Sequence, residues 1–231
     1  MKHPSAITLN KPALALALLL CAVCAVTAQN DAQKSTILKI TIEIHNNGIF
    51  DRSYYIVYYK DTKPDDVPQE VYDALWEIQK EIIDNFTYDY DVYYGRKQPL
   101  HLATKEAYYK HGKGVCEGYA DFFILLAREK GLLENLYKVS GNRSGGGGHA
   151  WLEYRTAENT YIIDPTWSDD TGYKGLNTRQ KFRESPAYGK TAFFITYEED
   201  KSIFSEQGYD HSSYTRGKTE TPLWDKEEGT P

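Results

Sequence analysis

Apolar and polar residues alternate strictly near the start of the chain, with apolar side chains at Leu38, Ile40, Ile42 and Ile44. Such alternation is typical of a half-buried β-strand. The turn signal Asn46-Asn47-Gly48 and the β-prone run Tyr54 to Tyr59 predict a partner strand. The segment Lys63-Pro64-Asp65-Asp66 then breaks the pattern. We therefore expect a small β extension over residues 29–63 and a main domain over residues 64–215.

Helical spacing replaces the alternation in the main domain. Asp66 and Gln69 predict a capping box for a first helix, whose apolar face is formed by Val71, Leu75, Ile78 and Ile82. A shorter helix, capped by Thr104, is predicted to run through Tyr109. A third helical pattern extends from Cys116 to Lys130.

Short β-prone segments follow the helices, at residues 136–139, 149–154, 161–163 and 192–196. Helices followed by a run of strands predict an α+β fold. Residues 216–231 are charged and interrupted by proline and glycine, so we expect them to form a loosely held, flexible tail.

The first 28 residues resemble a secretory signal peptide. Lys2 and Lys11 supply positive charge, Ala13 to Leu20 are apolar, and Val26-Thr27-Ala28 fits a cleavage site. The apolar run is shorter than the ~20 residues that a membrane-spanning helix needs. We expect cleavage before Gln29 and a secreted or periplasmic protein, with lipid attachment at Cys21 or Cys24 as the alternative.

The cysteine count then becomes informative. Of the three cysteines, only Cys116 lies outside the predicted signal, so an internal disulfide is not expected. A lone thiol is either a packed apolar side chain or a reactive group. The net charge of -6 and the absence of a basic stripe argue against nucleic acid as a partner.

The position of Cys116 favours the reactive group. It opens the third predicted helix, where unpaired N–H groups and the helix dipole favour a thiolate. The same N–H groups are suited to hold an oxyanion on a substrate carbonyl. Gly114 and Gly118 flank the cysteine and leave room for a substrate to approach.

A thiol nucleophile needs a base within reach and a third group that orients the base. His149 begins one predicted strand, and Asp164 ends the next. Folding the intervening hairpin about Ala157 places residue 149 opposite residue 165, so the two side chains are expected at the same end of the sheet. A helical cysteine facing a His/Asp pair is a papain-like arrangement.

The segments that hold these three residues resemble the signature segments of the bacterial transglutaminase-like superfamily. They are Gly114-Val115-Cys116-Glu117-Gly118-Tyr119-Ala120, Gly148-His149-Ala150-Trp151 and Asp164-Pro165-Thr166-Trp167. The resemblance implies a papain-like core in which the cysteine helix packs on an antiparallel sheet. It further implies that Cys116 is the nucleophile, His149 the general base and acid, and Asp164 the residue that orients His149.

The resemblance implies a thiol enzyme that acts on peptide or protein amides through a thioester, by acyl transfer, deamidation or proteolysis. The alternative is a catalytically silent module that binds peptides or proteins at the cell surface. Further candidates for the substrate cleft are Trp151 and Trp167, and candidates for a second oxyanion donor are Tyr109 and His111. The remaining histidines show no metal-ligand spacing, so neither a metal nor a cofactor is expected.

Overall fold

A computed structural model describes residues 37–45, 52–143, 147–170, 176–208 and 212–222. The predicted signal peptide and the predicted turn at residues 46–48 lie outside these residues. Within them, no helix has the length and apolar character needed to cross a bilayer.

Helices and strands are mixed along the chain. The strands are β1 (Ile37–His45), β2 (Arg52–Lys60), β3 (Thr87–Tyr88), β4 (Lys113–Gly114), β5 (Leu136–Arg143), β6 (Gly148–Arg155), β7 (Thr160–Ile163), β8 (Phe193–Thr196) and β9 (Tyr214–Pro222). The helices are α1 (Gln69–Asn85), α2 (Tyr90–Tyr93), α3 (Lys105–His111), α4 (Cys116–Glu129), α5 (Pro165–Ser168), α6 (Leu176–Arg183) and α7 (Tyr197–Glu206).

The centre of the fold is a five-stranded antiparallel sheet with strand order β8-β7-β6-β5-β9. Helix α4 packs on β6, and α1 packs on α4. Buried side chains of both helices and of the sheet form the main core, including Ile78, Phe122, Phe123, Leu152 and Ile163. The predicted α+β class, with the cysteine helix on an antiparallel sheet, is confirmed.

Strands β1 and β2 form the expected antiparallel pair, with Ile37 opposite Lys60. They bury Ile42, Val57 and Tyr59 in a second apolar cluster that also contains Phe182 of α6. Because half of each strand faces solvent, the alternation of apolar residues identified this pair from the sequence.

The start of α1 differs from the predicted capping box. The helix begins at Gln69 with Pro68 as its N-cap, and no side chain caps it. The carboxylate of Asp66 instead accepts hydrogen bonds from the turn between β6 and β7, at 2.5 Å from Thr156 and 2.9 Å from Asn159. A distant turn therefore engages the side chain that local sequence assigned to the helix. Thr104 does cap α3 as predicted, accepting from the N–H of Ala107 at 3.2 Å.

The β6–β7 hairpin is offset by one residue from the predicted register. Leu152 pairs with Ile163, which centres the hairpin between residues 157 and 158 and not on Ala157. Thr156 closes the turn, because its hydroxyl accepts from the N–H of Asn159 at 2.9 Å.

The expectation of a loose tail from residue 216 is wrong for residues 216–222. These residues belong to β9, which pairs with β5 at the edge of the central sheet. Backbone pairing along an open sheet edge stabilises this strand, although its sequence is charged and polar.

Candidate active site

Helix α4 places the Cys116 thiol at its first position. Val115 is the N-cap and supplies no capping side chain, so the first N–H groups of α4 are left without a side-chain partner from the cap residue. The preceding strand β4 pairs in parallel with β3. A Cβ on Gly114 would lie 2.8 Å from the Phe86 ring, so glycine is needed for this close approach. Cys116 is half-buried and free of disulfides.

His149 lies between Cys116 and Asp164. Its Nε2 is 2.6 Å from Oδ2 of Asp164, and its ring is also hydrogen-bonded to the Cys116 side chain. Because Nε2 is occupied by Asp164, Nδ1 is the ring nitrogen that is left for the thiol. The structure thus brings together the three residues that the sequence singled out.

Asp164 is completely buried, and both of its carboxylate oxygens have two partners. Oδ1 accepts from the backbone N–H groups of Thr166 at 3.0 Å and Trp167 at 3.2 Å, because Asp164 is the N-cap of α5. Oδ2 accepts from His149 and from the hydroxyl of Tyr214 at 3.0 Å. Four donors hold the charge and the orientation of this carboxylate.

The pKa values of the pair are shifted in opposite directions. Burial alone would lower the pKa of His149, but the charge of Asp164 and the hydrogen bonds to Asp164 and Cys116 outweigh it and raise the pKa to about 9. Burial alone would raise the pKa of Asp164, but His149, Arg143 and the Tyr214 hydrogen bond keep it below 3.8. His149 is therefore protonated and Asp164 ionised at neutral pH.

Aromatic rings surround the imidazole. His149 stacks on Trp151 with 5.9 Å between ring centroids, and the edge of Trp167 lies at 6.5 Å. The guanidinium of Arg143 covers Trp167 at 3.5 Å and Tyr214 at 4.9 Å. These contacts limit the water around the His149–Asp164 pair, which strengthens their electrostatic interaction.

The remaining predicted site residues lie in different places. Trp167 is 43% exposed beside His149, whereas Trp151 has no exposed surface and packs in a core cluster with Val139 and Ile162. Trp151 therefore supports His149 from inside and does not wall an open cleft. This is a correction, and its reason is strand alternation: Trp151 and Leu152 point to opposite faces of β6.

The two predicted oxyanion donors are not brought to the triad. The Tyr109 hydroxyl donates to the carboxylate of Glu81 on α1, so that donor is already engaged. His111 is the last residue of α3 and is half-buried. Within the described part of the chain, no hydrogen bond joins His111 to the triad.

Sequence reasoning missed Tyr88, which lies beside the thiol. Strand pairing sets Tyr88 opposite Gly114, and its ring is 6.4 Å from that of Tyr119. Burial, and next the charge of Cys116, raise the pKa of Tyr88. Its ring also contacts Tyr90 and Tyr93, which are 41% and 53% exposed. The tyrosine-rich composition of residues 88–94 is visible in the sequence, but the pairing that brings them to Cys116 is not.

Sequence reasoning also missed Arg143 and Tyr214, because they reach Asp164 from strands that are remote in sequence. No group of three or more potential metal ligands is found among the residues that the structure describes.

Comparison with protein families identifies the origin of this geometry. Residues 59–165 match the family model of the transglutaminase-like superfamily, a range that contains Cys116, His149 and Asp164. This part of the chain belongs to the transglutaminase-like superfamily. The transglutaminase-like match begins in β2 and ends at Pro165, the first residue of α5. A search of curated proteins finds no match to the chain.

Proposed function

We propose that the transglutaminase-like domain is an active thiol enzyme that attacks amide bonds of peptides or proteins. The contact that supports this most directly is the 2.6 Å hydrogen bond between His149 and Asp164, with the Cys116 side chain bonded to the same imidazole. Nucleophile, base and orienting group are then connected in one chain of hydrogen bonds, as covalent catalysis requires.

The first half of the proposed reaction forms a thioester. The Cys116 sulfur adds to the carbonyl carbon, and the N–H groups at the start of α4 stabilise the negative oxygen. His149 then donates its proton to the amide nitrogen, the C–N bond breaks, and ammonia or an amine leaves. A protonated His149 is the form required for this step, which agrees with its raised pKa of about 9.

The second half regenerates the enzyme. His149 removes a proton from water or from a primary amine, which attacks the thioester carbonyl and releases the sulfur. Water as acceptor gives hydrolysis or deamidation, and an amine gives transamidation.

We place the substrate against the exposed aromatic side chains on either side of the thiol. Trp167 lies on the imidazole side, and Tyr90 and Tyr93 follow Tyr88 on the other. Exposed tryptophan and tyrosine rings supply rigid contact area at a low cost in side-chain entropy, so they suit an extended polypeptide.

Mass spectrometry of glutamine-containing peptides incubated with the protein tests the proposal. Deamidated, cleaved or amine-linked products each identify one acceptor or bond, and all must disappear with Cys116→Ala. A folded wild-type protein that gives neither product nor acyl-enzyme would instead support the silent binding module.

We further propose that the enzyme is exported and processed before Gln29, on the strength of the signal-like residues 1–28. N-terminal sequencing of the exported protein tests this. A lipid-modified cysteine at the mature N-terminus would favour the alternative, membrane-anchored form.

A further inference from the structure

Tyr214 shares a carboxylate oxygen with the imidazole of His149. Its hydroxyl is 3.0 Å from Oδ2 of Asp164, and Nε2 of His149 is 2.6 Å from the same atom. Tyr214 is itself buried, with 3% of its surface exposed. Since the other oxygen of Asp164 is held by two backbone N–H groups, the tyrosine completes a set of four donors that fixes the plane of the carboxylate.

The position of Tyr214 is in turn fixed from both sides. The preceding residue, Ser213, donates its hydroxyl to the buried Asp200 of α7 at 2.8 Å. The Tyr214 ring packs against Trp151 with 5.4 Å between centroids, and the guanidinium of Arg143 lies over its other contacts at 4.9 Å. A buried tyrosine hydroxyl held in this way has little freedom to find another partner.

We infer that Tyr214 is a positioning residue of the triad, which holds the Asp164 carboxylate in the orientation that His149 needs. The inference rests on the function proposed above. It extends the site beyond the matched domain, since Tyr214 belongs to β9 and the family match ends at residue 165. The C-terminal strand is thereby part of the active site and not an appendage to it.

Replacing the hydroxyl by hydrogen has two physical consequences. Oδ2 loses one of its two donors, so the ionised carboxylate is less stabilised and is protonated at a higher pH. The carboxylate also gains rotational freedom, which weakens its hold on the imidazole. The titratable and charged groups that face Asp164 are Tyr88, Cys116, Arg143, His149 and Tyr214, and only the last is altered.

Tyr214→Phe tests the inference, with Tyr161→Phe as its matched control. Tyr161 is also a buried tyrosine of the same sheet whose hydroxyl donates to an aspartate, but that aspartate is Asp66 and not a triad residue. Two readouts are needed: amide turnover, and the rate at which iodoacetamide alkylates Cys116 from acidic to alkaline pH. The second readout requires no substrate.

We expect turnover of Tyr214→Phe to fall about tenfold to a hundredfold, the rate equivalent of one hydrogen bond to a charged group. The acid limb of its alkylation profile moves to higher pH, while Tyr161→Phe keeps the wild-type profile. A profile of Tyr214→Phe that superimposes on wild type would overturn the inference, as would an equal shift in Tyr161→Phe. If wild type shows no turnover but the profile shifts as described, the proposed function fails and the positioning role stands.

Discussion

Nε2 of His149 lies 2.6 Å from Oδ2 of Asp164, a carboxylate with no exposed surface. The short distance and the burial make this pair strongly interacting, since neither group is screened by bulk water. Asp164 also caps α5 through its other oxygen. One side chain therefore has a structural and an orienting function, and the two functions are separable by mutation.

Asp164→Asn separates them. Asparagine is as good an N-cap as aspartate, so α5 and the fold are expected to persist. Its amide nitrogen would face His149 as a donor, which forces the imidazole into the tautomer that cannot accept a proton from the thiol side. Turnover should fall by orders of magnitude, about 10⁴ by analogy with the serine triad. Steady-state kinetics and thermal unfolding measure the two effects.

Asp66→Asn is the matched control. Asp66 also accepts several side-chain hydrogen bonds at the end of the central sheet, from Thr156, Asn159 and Tyr161. It makes no contact with the triad, so its substitution should leave turnover near the wild-type value. Near-normal activity of Asp164→Asn would show that another group orients His149.

The triad was predictable because its signals are local. A cysteine at a helix start and an aspartate between a strand and Pro165 are both recognised from neighbouring residues. The environment of the triad was not predictable. Tyr214 follows Asp164 by fifty positions in sequence, and only the pairing of β9 with β5 brings its hydroxyl to the carboxylate. Non-local pairing of this kind has no signature within a short window of sequence.

The same reasoning explains the error at Trp151. Its neighbour Trp167 follows the Asp164 cap in a short surface helix, whereas Trp151 lies in a central strand that is covered on both faces. A tryptophan next to a candidate histidine is consistent with either position, and strand order decides between them.

The two tryptophans should therefore respond differently to alanine. Trp151→Ala removes a fully buried ring and is expected to reduce the free energy of unfolding by about 3–5 kcal/mol. Trp167→Ala removes a ring that is 43% exposed, so stability should change little while kcat/KM falls, because the His149–Asp164 pair loses its cover. Urea unfolding and kinetics on both variants distinguish the two. Equal destabilisation would contradict the assignment of Trp151 to the core.

Gly141 is the position where β5 and β9 approach most closely. A Cβ there would collide with the carbonyl oxygen of Thr215 and lie 2.7 Å from the nitrogen of Gly217 and 2.8 Å from the Trp151 ring. Gly141→Ala should therefore separate β9 from the sheet, lowering stability and displacing Tyr214. Gly147→Ala is the control, because no atom lies within 4 Å of its added Cβ. Hydrogen exchange of residues 214–222 should increase in the first variant alone.

Stability should also depend on pH through His149. Its pKa is about 9 in the folded protein, above the ordinary value of 6.5, so the folded state binds the proton more tightly than the unfolded state. The stabilisation is fully present below pH 6.5 and is lost as pH rises towards 9. His149→Gln should abolish this loss, whereas His111→Gln, which alters a histidine outside the triad, should retain it. Urea unfolding of the three proteins at pH 6, 7.5 and 9 measures the effect. If His149→Gln loses as much stability over this interval as wild type does, the imidazole is not held as a cation, and proton donation to the leaving group needs another source.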